Sequence, residues 1–488
     1  MKKLNKIAAA VMMSMVLSVC SLSGCSGSSD GTGNAGASNT ANSGQNSTVS
    51  DIGQNSAVSS PAVSDGSSEQ VASDSDLVFE DFLYEKSYYY DDPEADDSPS
   101  HECIMIRKYL GNSPIVTVPD DIEGIKVCLI DNNAFEGSQA EEIVFPDSII
   151  DIGYACMRDC TNLKEVTLPK SLKTITTEMF KRCTSLKSIE LPEGLKLIED
   201  GAFCGCEALE DIKIPESVTE IQSWAFQDCT SLKNFMFPSK LEVLGDDVLF
   251  NTAILNEAPY GENYIGNVFY CYKFEGLLRD DKYESVKKLA EQGKFTFRDG
   301  TRIIATYAFY NDSTKEGLPA CDFEIPDSVI YIGSAFSYIN IGTININASV
   351  AKSVGIKFDG CTVKEIKFDE NVTEIGESFF SNSDIENVEI PSSVRKINES
   401  AFNISRIKNI FIHEGTEYIG QLAFTSCEKL EKVYIPSTVK EFGEGYTYSF
   451  DGSPNAVIYT TAGSEAEKYA QQYNIPCKII AGEEEFKF

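Results

Sequence analysis

Apolar and polar positions alternate along this chain on a short period nested inside a long one. In LKSIELPEGLKLIEDGAFCGC, residues 186–206, Leu186, Ile189 and Leu191 point one way, and the last two alternate with polar neighbours. That alternation predicts a half-buried strand. Pro192 ends the strand, because proline lacks the N–H a continuing ladder needs and pre-sets the turn PEG. Leu195 and Ile198 begin a second short apolar run, and Ala202, Phe203 and Cys206 follow at a spacing nearer a helical turn. The apolar side chains of one such unit are too few to close a core alone.

The unit returns. Pro146, Pro169, Pro192, Pro215 and Pro238 stand 23 residues apart. The marker comes back at Pro326, Pro391 and Pro436, and the flanking pattern puts Arg298, Asn347, Asp369 and His413 in the same slot, so later coils are 21–28 residues long. An early coil carries Pro119 with a longer return, VPDDIEGIKVCLIDNNAF. Units of this length share one core by stacking, so the pattern predicts a solenoid. About thirteen coils, paired at about 4.8 Å along the stack, would make a rod of roughly 60 Å.

The pattern L-x-x-I-x-I-P-x-S-V-x-x-I-x-x-x-A-F-x-x-C resembles the BspA-type leucine-rich repeat of bacterial surface proteins, and LEDIKIPESVTEIQSWAFQDC (209–229) matches it almost position by position. The likeness extends over roughly 104–480. It implies a leucine-rich repeat solenoid, β-rich and α/β by convention, on a cell-surface protein. Some relatives are adhesins that bind host matrix proteins or other microbes.

Several segments depart from the period. The expected order is an N-terminal cap over 77–118, repeats over 119–250, an irregular insertion over 251–297, repeats over 298–459 and a C-terminal cap over 460–488. In the insertion, ENYIGNVFYCYKFEG (262–276) predicts paired strands around Gly266-Asn267, and RDDKYESVKKLAEQG (279–293) predicts a charged helix stopped by Gly293. It serves either as a projecting ligand-binding loop or as an irregular coil that keeps the solenoid covered. Open strand edges invite pairing, so both ends need covers. HECIMIRKYLG should form a strand in the first. In the second, Ser464 with Glu467 forms a capping-box pattern ahead of a helix face of Ala466, Tyr469, Ala470 and Tyr473, and IPCKIIA adds a last strand.

The N-terminus adds an address. Lys2, Lys3 and Lys6 precede an apolar run, Ile7–Val19, too short to span a bilayer comfortably. Leu22-Ser23-Gly24-Cys25 resembles the lipobox of bacterial lipoproteins. Residues 1–24 are then a lipoprotein signal peptide, and Cys25 is the lipidated anchor. Residues 26–76 hold no aromatic residue and no Lys or Arg, which predicts a disordered tether reaching roughly 40 Å. The expected location is the bacterial envelope, on the extracytoplasmic side, held by lipid alone. Net charge is −34, more negative still without the three leader lysines. Such a surface disfavours nucleic acid and anionic lipid as partners.

No catalytic set emerges. His101 and His413 are the two histidines, His413 in a proline slot, and neither sits in a Ser-His-Asp or Cys-His pattern. With 75 acidic residues, carboxylate pairs carry no information about glycoside hydrolysis. The stretch YYYDDPEADDS (88–98) lacks the oxygen spacing and turn glycine of a calcium loop, so neither metal nor cofactor is expected. Cys160, Cys183, Cys206 and Cys229 recur every 23 residues, with Cys361 and Cys427 in the same slot. Outside the cell, disulfides between neighbouring rungs are geometrically conceivable. A small buried hydrophobe repeated along the core is the reading favoured here. If the chain binds something, the outward side of each first strand is the surface to examine. Its rungs place Ser188 and Glu190, Asp211 and Lys213, Lys367, Glu389, Phe411 and Tyr434 on view, with Phe411 and Tyr434 as adjacent exposed aromatics that either anchor a partner or stack across strands to stabilise the sheet. The expected function is non-catalytic binding of an extracellular or host protein or glycan. A passive envelope spacer is the alternative, and a glycan or peptide hydrolase comes last.

Overall fold

The computed structural model describes residues 77–90, 100–273, 291–309, 320–445 and 447–488. The signal peptide, Cys25, the tether, most of the acidic stretch 88–98 and most of the expected charged helix lie outside them. The described chain is a β-solenoid of about fifteen turns, close to the thirteen expected.

One coil shows the construction. Asn387–Ile390 forms the first strand, Pro391 turns the corner, Lys396–Ile397 forms a two-residue second strand, and a double turn buries Ala401 and Phe402. Each part bonds to the same part of its neighbours. First strands Asn387–Ile390, Asn409–Ile412, Lys432–Tyr434, Val457–Thr460 and Cys477–Ile479 pair in parallel. So do second strands Thr174–Ile175, Leu197–Ile198, Glu220–Ile221 and Val243–Leu244. The turns stack as well: the Phe180 N–H donates to the Ala202 carbonyl at 2.8 Å, and the Phe203 N–H to the Ala225 carbonyl at 2.8 Å.

Reversing the chain in so few residues takes two left-handed backbone positions per turn, four residues apart. Glycine fills both in one coil, Gly201 (φ 59°) and Gly205 (φ 75°). Other coils force side chains into the same geometry, as at Glu178 and Arg182 or Ser400 and Ile404. Asp and Asn accept that region readily, whereas a β-branched residue does so at a real energetic cost.

The repeated phenylalanine explains itself once the rungs are in register. Coils repeat at about 4.8 Å, close to the separation at which parallel rings stack. Phe180, Phe203 and Phe226 lie 5.1 and 5.2 Å apart with interplanar angles of 9° and 4°. Phe380, Phe402 and Phe424 continue the motif at 5.2 and 5.6 Å.

The cysteine ladder is core filling with an added task. Cys160, Cys183, Cys206, Cys229 and Cys427 are buried free thiols. Each donates its S–H to a carbonyl one coil back, those of Phe135, Met157, Phe180, Phe203 and Phe402, at 3.0–3.2 Å. Ser453 stands in the same slot one coil after Cys427 and makes the same bond to Phe424 at 2.7 Å. The slot therefore selects a small donor, and burial pushes the thiols well above their ordinary range.

One expected element is weaker than the sequence suggests. Residues 187–191, the predicted strand before Pro192, are extended but carry no ladder pairing, and the next two coils share a single bridge, Asp211 to Asn234. Proline corners do not account for this, since the strands before Pro119, Pro146, Pro169 and Pro391 all pair in parallel with a neighbour. Where Asp369 and His413 hold the slot, their N–H groups donate to Ile346 and Ile390, and the strands on either side run four residues or more.

Three segments close the stack. Leu77–Phe79, Phe82–Tyr90 and Ser100–Tyr109 form an antiparallel meander whose last strand lies parallel to Ile125–Ile130. In the insertion, Gly261–Ile265 and Val268–Lys273 pair antiparallel around Gly266, whose φ of 64° the tight turn requires. Val268–Lys273 then pairs parallel with Ile303–Ile304 and takes the place of a coil strand. Its side chains alternate: Val268 and Tyr270 pack in the core of the preceding coils, Phe269 in that of the following ones. The Lys273 ammonium donates to the carbonyls of Leu255, Asn256 and Ala258 at 2.8–3.1 Å, closing the short helix Ala253–Asn256. At the C-terminus, helix Glu465–Tyr473 is capped by the Ser464 hydroxyl, which accepts from the Glu467 N–H at 3.1 Å, and stops at left-handed Asn474.

Candidate functional site

The outward rungs fall into two groups. Ser188, Glu190, Asp211 and Lys213 are exposed on the first-strand side of the N-terminal coils. Lys213 reaches Glu193 at 3.5 Å, with both side chains almost fully solvated, so that pair adds little. Lys367 is exposed and lies 3.6 Å from Glu365. Strand register places Asn345 beside Lys367, and separately Glu389 beside Phe411 beside Tyr434. The structure brings the last three together and leaves the N-terminal group on its own coils.

The aromatic pair is not exposed. Tyr434 is 0% accessible and Phe411 is half-buried. The cover comes from the chain's own end, through a single 3₁₀ turn, Glu483–Glu485, followed by Phe486-Lys487-Phe488. Phe486, 7% exposed, lies over Phe411, Tyr434 and Tyr459 with ring centroids 5.3, 5.7 and 5.2 Å away. Glu483 meets His413 Nδ1 at 3.2 Å, while His413 Nε2 meets Glu389 at 2.6 Å. The Lys432 ammonium donates to the Lys487 carbonyl at 3.0 Å. Burial, with Glu414, Glu483 and Glu484 nearby, pushes the Tyr434 hydroxyl up to about 12. Outward-facing aromatics are visible in sequence; a lid arriving from fifty residues downstream is not.

Beside this face, along the corner that leads into each first strand, runs an open polar groove. Two adjoining hollows of about 620 Å³ each share Lys408 and Lys429. Lys364 and Arg406 complete a set of four cations, and Asp384, Glu386, Glu428 and Glu431 line the same hollows, so the groove is locally balanced in a chain whose net charge is −34. Arg406 and Lys429 both lie 3.7 Å from Asp384. Lys364 and Lys408 have no carboxylate partner among the described residues. Sequence reasoning missed these cations, although they sit five or seven residues before the corner slot, positions that Asp384, Glu386 and Glu431 share.

A fifth cation is buried. In GIKFDGC, Lys357 occupies the slot held by Ala335 in the preceding coil, Phe379 in the following one, and Ala401 and Ala423 further on. It is 3% exposed, and its ammonium lies 4.8 Å from the centre of the Tyr331 ring. Burial pulls its pKa down to about 8, partly countered by Asp246. Among the described residues no three His, Cys, Asp or Glu side chains are placed to hold a metal ion, and no helix is long and apolar enough to cross a membrane.

The coil geometry has a counterpart in sequence space. Six copies of the BspA type leucine rich repeat region match residues 129–256, 286–355 and 334–456, together more than half of the chain. The chain belongs to the BspA type leucine rich repeat family. These BspA-type repeats carry the cysteine slot, the stacked phenylalanines and the cation groove described above. Among solved structures, the chain is similar to TpLRR, a leucine rich repeat protein of T. pallidum, at 27% identity over 37% of this chain and 94% of that one, with a TM-score of 0.30. It is similar to a leucine rich cell surface protein of Faecalibacterium prausnitzii at 22% identity over 82% and 98%, with a TM-score of 0.31. The pneumococcal vaccine antigen PcpA follows at 15% identity over 83% and 98%, with a TM-score of 0.37. No curated protein matches the chain.

Proposed function

We propose that the chain is a non-catalytic bacterial surface module, lipid-anchored through Cys25, that binds an extracellular protein or glycan along the C-terminal first-strand face. The observation that carries this reading is the groove holding Lys364 and Lys408 without carboxylate partners, on a chain with a large excess of negative charge. Repulsion keeps most anions off such a surface; in this strip four carboxylates balance four cations, so it is where repulsion is weakest and where the uncommitted Lys364 and Lys408 ammonium groups can pair with a carboxylated glycan or an acidic protein segment. Exposed cations steer and orient a partner more than they fix affinity. The polar neighbours Asn387 and Asn455 supply amide groups for hydrogen bonding.

The test is a panel of matrix proteins, mucins and anionic glycans against the full chain and against Lys364→Glu, Lys408→Glu. A ligand whose affinity falls at least tenfold in the double variant, and falls with added salt, supports the groove. Binding unchanged by both moves the site to Ser188, Glu190, Asp211 and Lys213. The absence of any binder at micromolar concentration favours a spacer. Anchoring is tested separately by labelled palmitate, which should mark the wild type and not Cys25→Ala.

A further inference from the structure

The last six residues pack against the solenoid as a ligand packs in a site. They run across three coils, bury one ring among three others, and place a carboxylate on His413 and a carbonyl on Lys432. The fit is incomplete. Tyr434 Oη and Asn409 Oδ1, both buried at this face, have no hydrogen-bond partner among the described residues. A segment selected only to seal the stack would be expected to satisfy or avoid such groups, because an unpaired buried polar atom opposes burial. Phe488, the second aromatic of the tail, stays half-exposed at 6.3 Å from Phe411. The C-terminal coils already have a separate cover in helix Glu465–Tyr473 and strand Cys477–Ile479.

We propose that the shelf of Phe411, Tyr434 and Tyr459 is a binding site for an extended segment of a partner protein, carboxylates followed by aromatics, and that residues 483–488 are its displaceable resident. The partner's carboxylate takes the place of Glu483 at His413. Its aromatic ring takes the place of Phe486. Its polar groups meet Tyr434 Oη and Asn409 Oδ1, which the resident leaves unpaired. Tethering gives the resident a high local concentration, so a partner must offer those extra bonds to displace it. This inference stands apart from the cation groove and survives if the groove binds nothing.

The probe is a fluorescein-labelled peptide, GEEEFKF, followed by anisotropy against the full chain and against Phe486→Ala, Phe488→Ala in the full chain. The peptide should bind the double variant at least tenfold more tightly than the wild type. A peptide with alanine in place of its first phenylalanine should lose that binding. Equal binding to both chains, or none to a variant that melts like the wild type, overturns the proposal. Hydrogen exchange on the unmodified chain gives an answer even if the variant folds badly. Amides of 483–488 should exchange at least a hundredfold faster than those of Val433 and Ile458 beneath them, and equally slow exchange refutes displaceability. A concentration-dependent dimer abolished by Phe486→Ala would mean that copies exchange tails, and would overturn the assignment to a foreign partner.

Discussion

Replacing Lys357 with methionine should stabilise the protein. The ammonium is almost wholly buried in a slot that the preceding coil fills with Ala335 and the following one with Phe379, and its pKa falls from the ordinary lysine value of about 10.4 to about 8. At about 1.36 kcal/mol per tenfold change in proton affinity, keeping it charged near neutrality costs about 3 kcal/mol. The Tyr331 ring returns about 1–2 kcal/mol by cation–π attraction. Methionine keeps the length of the side chain, removes the charge and retains a favourable sulfur–aromatic contact. Lys357→Met should therefore gain about 2 kcal/mol at pH 7. The sign of the pH dependence follows from linkage. Between about pH 8 and pH 10.4 the folded lysine is neutral while the unfolded one is charged, so the unfolded state binds more protons and the lysine's contribution to stability rises with pH. The penalty is complete below pH 8, and the advantage of methionine should shrink by about 1 kcal/mol between pH 7 and pH 9. Paired urea melts at the two pH values provide the measurement. Comparing the two proteins at each pH cancels the alkaline loss that the buried cysteines impose on both. A variant less stable than the wild type at pH 7, or a difference that does not change with pH, refutes the account.

Ile404 is a β-branched residue at φ 60° and is 53% exposed. Relieving a left-handed penalty of about 1–2 kcal/mol outweighs the chain entropy of glycine, about 0.5–1 kcal/mol, so Ile404→Gly should raise the thermal midpoint, and a lower one would remove the strain argument. Cys206→Ala should cost about 1–2 kcal/mol through the lost bond to the Phe180 carbonyl and a small cavity. Cys206→Ser should cost less, as Ser453 does the same work; equal losses would mean that the donor is irrelevant. Of the thirteen described cysteines, all free thiols, only Cys204, Cys271 and Cys477 are partly exposed. A thiol reagent should therefore find those three in the native state and all thirteen after unfolding, and a shortfall in the denatured count would reveal a disulfide.

The repeat was legible because its causes are local. Alternation, a corner residue and a buried Ala-Phe pair all fall within one coil, and register does the rest. The cysteine slot was legible as filling, while its S–H bond to the previous coil was not, since residues 206 and 180 come together only after stacking. The weak strand before Pro192 shows the opposite limit: alternation measures burial, and ladder pairing is settled only between coils. Lys357 left a visible trace, a lysine in an alanine slot of the A-F motif. The burial of Tyr434 left none, because its cover is a six-residue tail with no periodicity of its own.

The double-sided strand Val268–Lys273 gives the array an internal firebreak. In a simple stack each coil is the floor of the next, and loosening begun at one end can run through to the other. Here Val268 and Tyr270 seal the preceding core while Phe269 seals the following one. If the coils beyond Ala305 come apart, the earlier ones keep most of their core, which Ile303 and Ala305 complete, anchored by the Tyr270 hydroxyl accepting from the Leu249 N–H at 2.8 Å. Damage or proteolysis on the far side can then consume one block and leave the other standing.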